Sequence, residues 1–140
     1  MRQILLFAAL AASLALLSGC ALSKAKADTA EDMSDKAAYQ KISAEEAYEM
    51  MASQEVVVVD VRTREEYDGG HIENAVLVPN ENIGSEMPEA LPDKEAPLLV
   101  YCRSGRRSKD AAEKLLALGY QSVYDFGGVI DWPYELVKEG

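Results

Sequence analysis

The chain has 140 residues, of which 49% are hydrophobic, and a formal net charge of −10 from 24 acidic and 14 basic side chains. This length suits one domain with its own core and is short for two. The excess of acid argues against binding nucleic acid and against electrostatic attachment to anionic lipid.

The N-terminal segment has the order of charge and hydrophobicity that is typical of an export signal. Arg2 is followed by apolar or small residues over 4–17, which is shorter than the ~20 residues that a membrane span needs. Leu17-Ser18-Gly19-Cys20 resembles the lipobox of bacterial lipoproteins, which implies cleavage before Cys20 and acylation of its thiol. The alternative is an ordinary signal peptide with a chance cysteine.

These features predict a signal peptide over 1–19, a lipidated flexible tether over 20–38 and a domain over 39–140. Residues 21–38 are mostly small or polar and can bury little. The cleaved chain would carry 13 basic and 24 acidic residues, a net charge of −11. Acyl chains would therefore have to anchor this exported lipoprotein to a cell-envelope membrane.

The sequence holds two cysteines, Cys20 and Cys102. If Cys20 is lipidated, no intramolecular disulfide can form and Cys102 is an unpaired thiol in an exported protein. A leftover thiol of this kind indicates a reactive or intermolecular role rather than a structural one. With one histidine and one unmodified cysteine, we predict no metal site and no cofactor.

The first half of the domain predicts two helices and two strands. Ser43 to Glu46 forms a capping box at the start of an amphipathic helix, and Thr63 to Glu66 forms a second one before a short helix that ends at Gly69-Gly70. The run Val56 to Val61 is typical of a strand that is buried on both faces of a parallel sheet. A brief strand follows over Ala75 to Val78.

The second half begins with a loop over 80–97, which contains three prolines. After it we predict a strand over 98–101, a helix over 109–118, a strand over 123–126 and a last helix over 129–138. The alternation predicts an α/β fold with a central, mostly parallel sheet and helices on both faces. Cys102 then lies at the carboxyl end of its strand, where such sheets bind ligands.

The segment from Cys102 to Ser108 carries the predicted chemistry. A loop that leads into a helix N-terminus turns its backbone amides inward, and the helix dipole adds partial positive charge. Arg103, Arg106 and Arg107 lie in the same segment, so both influences would lower the pKa of the Cys102 thiol. The alternative is that Cys102 is a small buried residue and that the arginines form a solvated helix start.

Several motifs together resemble the rhodanese family. They are Asp60-Val61-Arg62 with Glu66-Tyr67, Gly70-His71-Ile72 with Ala75 and Pro79, the loop Cys102 to Ser108, and Val123 to Gly128 with Trp132. They span roughly residues 39–138 in the order and spacing of that family. The sequence departs at Glu73-Asn74, where many members have a glycine, but asparagine tolerates the left-handed backbone of such a turn. We interpret His71 as a structural turn residue.

The resemblance implies a sulfurtransferase that acts by double displacement. Cys102 would take the outer sulfur of an anionic donor such as thiosulfate and hold it as a persulfide. A thiol or cyanide would accept the sulfur, and a protein could replace either small molecule. The implied substrate-binding residues are Arg103, Ser104, Gly105, Arg106, Arg107 and Ser108. Asp60 and Arg62 would hold the residues of the site in place without contacting the substrate. A plain ion pair explains those two residues equally well.

Two other functions fit parts of the pattern. Phosphatases and arsenate reductases have a loop in which an arginine is the sixth residue after the cysteine. In this chain the sixth residue after Cys102 is Ser108, so the loop does not match that pattern. A non-catalytic binding module, or a sulfur carrier fed by a protein partner, would share the fold, because fold alone does not decide function.

Overall fold

The computed structural model describes residues 37–138. The predicted signal peptide, Cys20 and the tether as far as residue 36 lie outside the described residues, as do 139 and 140. The strands are β1 Ala38–Lys41, β2 Val57–Asp60, β3 Val76–Leu77, β4 Leu98–Cys102 and β5 Ser122–Gly128. The helices are α1 Ala44–Ser53, α2 Arg64–Asp68 and α3 Arg106–Ala117, and 3-10 turns cover Asn80–Asn82 and Val129–Asp131.

The five strands form one sheet in the order β1-β5-β4-β2-β3, and every neighbouring pair is parallel. Strand β4 is buried at all five positions, which explains why its sequence is continuously apolar rather than alternating. The predicted α/β fold with a parallel sheet is therefore confirmed.

Helices cover both faces of the sheet. On one face, Ala111, Ala112 and Leu115 of α3 pack in a cluster that includes Cys102. On the other face, Ala47 of α1 and Tyr67 of α2 pack in a second cluster. Alternate residues of β4 supply the two clusters, because successive side chains of a strand point to opposite faces.

Both predicted capping boxes are present. Ser43 and Glu46 exchange side-chain and backbone hydrogen bonds at the start of α1, and Thr63 and Glu66 do so at the start of α2. The predicted left-handed turn is also confirmed, since Asn74 has a φ of 62°.

Three expectations differ from the structure. Strand β1 was not predicted, and α3 begins at Arg106 rather than at 109. The last helix predicted over 129–138 is wrong, because the chain leaves the 3-10 turn at Trp132 in an extended conformation, with φ −78° and ψ 112°. Pro133 disfavours a helical backbone at the residue before it. Val137 instead pairs antiparallel with His71.

Between residues 37 and 138, none of the helices has the length and apolar character needed to cross a membrane.

Candidate active site

Cys102 is the last residue of β4 and lies beside Gly128 of β5. The register shifts between Val100 and Cys102, so β5 uses one residue more than β4 before the two strands pair again. Gly127 occupies this bulge with a φ of +90°, which glycine adopts without strain. The bulge brings β5 against the loop that follows Cys102.

The loop after Cys102 points backbone amides at the sulfur. Gly105, the N-cap of α3 with a φ of 99°, donates its N–H to Sγ of Cys102 at 3.0 Å. Burial by itself would raise the pKa of the Cys102 thiol, but hydrogen bonds, led by those from the amides of Ser108 and Gly105, lower it below its ordinary value. The predicted direction is confirmed, with backbone amides rather than arginines as the leading cause.

The three arginines of the loop have different surroundings. Arg107 forms a fork-shaped ion pair with Glu66 of α2, in which both N···O distances are 2.8 Å. Arg103 and Arg106 are exposed. A small cleft of about 310 Å³ lies beside the loop, and it is lined by Asn80, Arg106, Arg107 and Asp110. Arg103 and Arg106 therefore present exposed positive charges, whereas the charge of Arg107 is balanced by Glu66.

Comparisons with known proteins agree with this geometry. A family model described as a rhodanese-like domain matches residues 43–133, which is more than half of the chain. The chain belongs to the rhodanese-like domain family.

The curated relatives that this rhodanese-like chain matches first are named tRNA uridine(34) hydroxylase. It is 34% identical over 113 residues to a tRNA uridine(34) hydroxylase of Hamiltonella defensa, with 76% of this chain and 32% of that protein covered. The chain thus spans about a third of the length of the curated relatives that it matches first.

Two solved structures match over most of their own length. An E. coli rhodanese solved with anions is 34% identical, with a TM-score of 0.56 and coverage of 61% of this chain and 100% of that one. A human single-domain sulfurtransferase is 26% identical, with a TM-score of 0.59 and coverage of 66% and 93%.

Asp60 and Arg62 form a buried pair in this rhodanese-like domain. The Arg62 guanidinium donates to both carboxylate oxygens of Asp60, at distances down to 2.6 Å, and to the carbonyl of Gly70 at 2.8 Å. This pair joins the end of β2 to the turn after α2. His71 packs nearby. Its ring is stacked on the ring of Tyr67 with a distance of 3.7 Å between the ring centroids.

Asp125 is a part of the site that sequence reasoning missed. Its carboxylate is fully buried and accepts hydrogen bonds from Ser108 Oγ at 2.7 Å, Gly127 N at 2.9 Å and Tyr39 Oη at 2.7 Å. The ammonium of Lys41 lies 3.3 Å from it. The motif Val123 to Gly128 contains Asp125, but nothing in the sequence indicated that β1 would supply two of its partners.

The structure thus brings together Cys102, the amides of Ser104, Gly105 and Ser108, and Arg107. It places Asp60 and Arg62 in a separate ion pair at the end of β2. Within residues 37–138 there is no group of three His, Cys, Asp or Glu side chains that could hold a metal ion. The part that each of these residues plays in binding a substrate stays a prediction.

A second, larger cavity of about 1160 Å³ lies between the end of α1 and the segment after β5. Its lining includes Tyr48, Trp132 and Tyr134 and none of the residues of the Cys102 loop. Because no residue of the Cys102 loop lines it, this larger cavity is not the site of the cysteine chemistry.

Proposed function

We propose that the domain is a sulfurtransferase whose nucleophile is Cys102. The Cys102 thiolate attacks the outer sulfur of thiosulfate or a related donor, the S–S bond of the donor breaks, and sulfite leaves with the bonding electron pair. Cyanide or a thiolate then attacks the outer sulfur of the persulfide, and Cys102 departs as a thiolate. No other co-reactant is needed.

The observation that carries the proposal is the backbone cradle around Cys102. Amides of the loop point at a sulfur whose residue is only 1% exposed. Such a setting favours a thiolate and also stabilises the anionic outer sulfur of a persulfide. A buried sulfur of this kind suits the transfer of a single atom from the end of a slim donor.

The arrangement of the loop disfavours a phosphatase or an arsenate reductase. Those enzymes need an arginine that faces the bound oxyanion, whereas Arg107 has both of its terminal nitrogens engaged by Glu66. At the sixth position after Cys102 lies Ser108, whose side chain is buried.

The hydroxylase activity that the longer relatives are named for is not part of our proposal. The matched region is about a third of those proteins, and the charge of −10 on this chain disfavours RNA as a partner. We also propose that Cys20 is lipidated and attaches the exported protein to a cell-envelope membrane.

The test uses the protein from residue 21 onward, with thiosulfate as donor and cyanide as acceptor. We expect thiocyanate to form, and intact mass after thiosulfate alone to show one added sulfur atom, which cyanide removes. Cys102→Ser should keep the circular dichroism spectrum and lose both signals. A reactive Cys102 that never gains sulfur from thiosulfate, or from a persulfide donor of small or protein type, would overturn the assignment.

A further inference from the structure

The hydroxyl of Ser108 lies among more acceptors than it can serve. Its oxygen is 2.7 Å from Oδ1 of Asp125, 3.1 Å from the carbonyl of Gly105 and 3.2 Å from the carbonyl of Gly127. The sulfur of Cys102 is a fourth acceptor within its reach, and a hydrogen bond from this hydroxyl would lower the pKa of the Cys102 thiol. A serine hydroxyl has one hydrogen, so only one of these acceptors receives it.

Asp125 is the strongest of these acceptors. It is the nearest of the three oxygens, a hydrogen bond to a carboxylate is about twice as strong as one to a neutral carbonyl, and sulfur is a weaker acceptor than oxygen. Three further donors, Tyr39, Lys41 and the amide of Gly127, hold the carboxylate in place. Asp125 is fully buried, so bulk solvent does not compete for its carboxylate.

We propose that Asp125 is a positioning residue for the Cys102 loop, which takes the hydroxyl proton of Ser108 and leaves the sulfur to the backbone amides. Its meaning for catalysis rests on the proposed sulfur transfer. A thiolate that also received the Ser108 proton would be more stable and less nucleophilic, because nucleophilicity falls with basicity. Asp125 would then keep the thiolate reactive while tying α3 and β5 to β1.

Charged groups face this part of the loop from several elements. They are Lys41 on β1, Glu66 on α2, Glu81 on the 3-10 turn, Arg107 on α3 and Asp125 on β5. Lys41 is half-exposed and hence a weak partner, and Arg107 is balanced by Glu66. Removal of Asp125 therefore changes both the local charge and the destination of the Ser108 proton.

The experiment follows the alkylation rate of Cys102 by iodoacetamide as a function of pH, which reports the thiol pKa and needs no sulfur transfer. Ser108→Ala should leave the midpoint of this profile unchanged, since the Ser108 amide remains. Asp125→Ala should lower the midpoint by about one pH unit, the effect of one hydrogen bond to a charged group. The double variant should lie closer to the Ser108→Ala midpoint than Asp125→Ala does, because the released hydroxyl is then absent and only the loss of the Asp125 charge remains.

At a pH where Cys102 is fully ionised in both proteins, Asp125→Ala should also take up sulfur from thiosulfate more slowly than the unchanged protein. Asp68→Asn is the matched control, because it removes one negative charge from an exposed site on α2, and its profile should not move.

Two results would overturn the proposal. A midpoint raised by Ser108→Ala means that the Ser108 hydroxyl donates its hydrogen bond to the Cys102 sulfur. If Asp125→Ala does not fold, this variant alone tests the proposal. A midpoint that Asp125→Ala raises, leaves unchanged, or lowers by the same amount as the double variant does means that Asp125 acts only as a scaffold or through its charge. Absence of thiocyanate formation would instead count against the sulfurtransferase and leave these profiles interpretable.

Discussion

Among single residues, Gly128 of β5 lies directly against the active-site loop. A Cβ atom added there would overlap the carbonyl oxygen of Arg103 and lie 2.5 Å from Cα of Ser104. The φ of Gly128 is −124°, which any residue adopts. Space, and not backbone conformation, therefore requires glycine at this position.

We expect Gly128→Ala to lower the free energy of unfolding by about 1–3 kcal/mol, the usual cost of overpacking, because the loop must move away from β5. We also expect the rate of sulfur transfer to fall in molecules that remain folded, since the loop amides would move away from the Cys102 sulfur. Urea unfolding and thiocyanate formation measure the two effects. Gly84→Ala is the control, because no atom lies within 4 Å of its added Cβ. An active Gly128→Ala protein would contradict this account.

The exposed arginines Arg103 and Arg106 should attract an anionic donor. We expect Arg106→Gln to raise KM for thiosulfate by roughly two- to fivefold, as suits the loss of an exposed charge contact of about 0.5–1 kcal/mol. The effect should shrink at high salt and nearly vanish with an uncharged persulfide donor. Lys109→Gln on the same helix is the control for net charge. Equal losses with both donors would assign Arg106 a structural role, and Arg103→Gln should behave like Arg106→Gln.

Among the elements, α2 and α3 are joined at their first turns by one carboxylate. Glu66 completes the capping box of α2 with Thr63 and also accepts both hydrogen bonds from Arg107 of α3. Its side chain is 28% exposed and that of Arg107 is 23% exposed, so water screens the pair only in part. Hydrogen bonds from Arg107 are the main cause that lowers the pKa of Glu66 from 4.5 to about 2.

This lowered pKa sets the pH range in which the pair stabilises the fold. A carboxyl group whose pKa is depressed on folding stabilises the native state above its unfolded pKa, and loses that effect as the pH falls through the folded one. We expect the difference in free energy of unfolding between the unchanged protein and Glu66→Gln to be on the order of 1 kcal/mol above pH 5. It should vanish between about pH 4.5 and pH 2.

Urea unfolding at several pH values measures this difference. Adding Arg107→Gln and the variant that carries both substitutions completes a double-mutant cycle for the Glu66–Arg107 pair. Additive losses in that cycle would mean that the two side chains stabilise the fold independently. Glu65→Gln, on the same turn of α2 and exposed, is the matched control.

For the whole molecule, we propose that the predicted N-terminal segment, and not the domain, attaches the protein to a membrane. The net charge of −10 offers no electrostatic attraction to anionic lipid. We therefore expect Cys20→Ser to move the protein from the membrane fraction to the soluble fraction of the cell envelope. Fractionation with an antibody to the domain measures this, and Cys102→Ser is the control. A Cys20→Ser protein that still sediments with membranes would refute lipidation as the anchor.

Sequence patterns were enough to predict the parallel α/β fold and the position of the cysteine at the end of a strand. These features depend on local patterns, namely buried apolar runs, two capping boxes and a loop that leads into a helix. The left-handed turn at Asn74 was predictable for the same reason. Where neighbouring residues interact within one turn or strand, their spacing in the chain is enough.

The groups that surround the Cys102 loop could be identified only from the tertiary structure. The sequence suggested three arginines, but Arg107 is engaged by Glu66, which lies 41 positions away along the chain. Asp125 meets Tyr39 and Lys41 only because β1 pairs with β5 at the sheet edge. Contacts between segments distant in the chain leave no periodic trace in either one, so the partners of Arg107 and Asp125 could be identified only once the sheet was assembled.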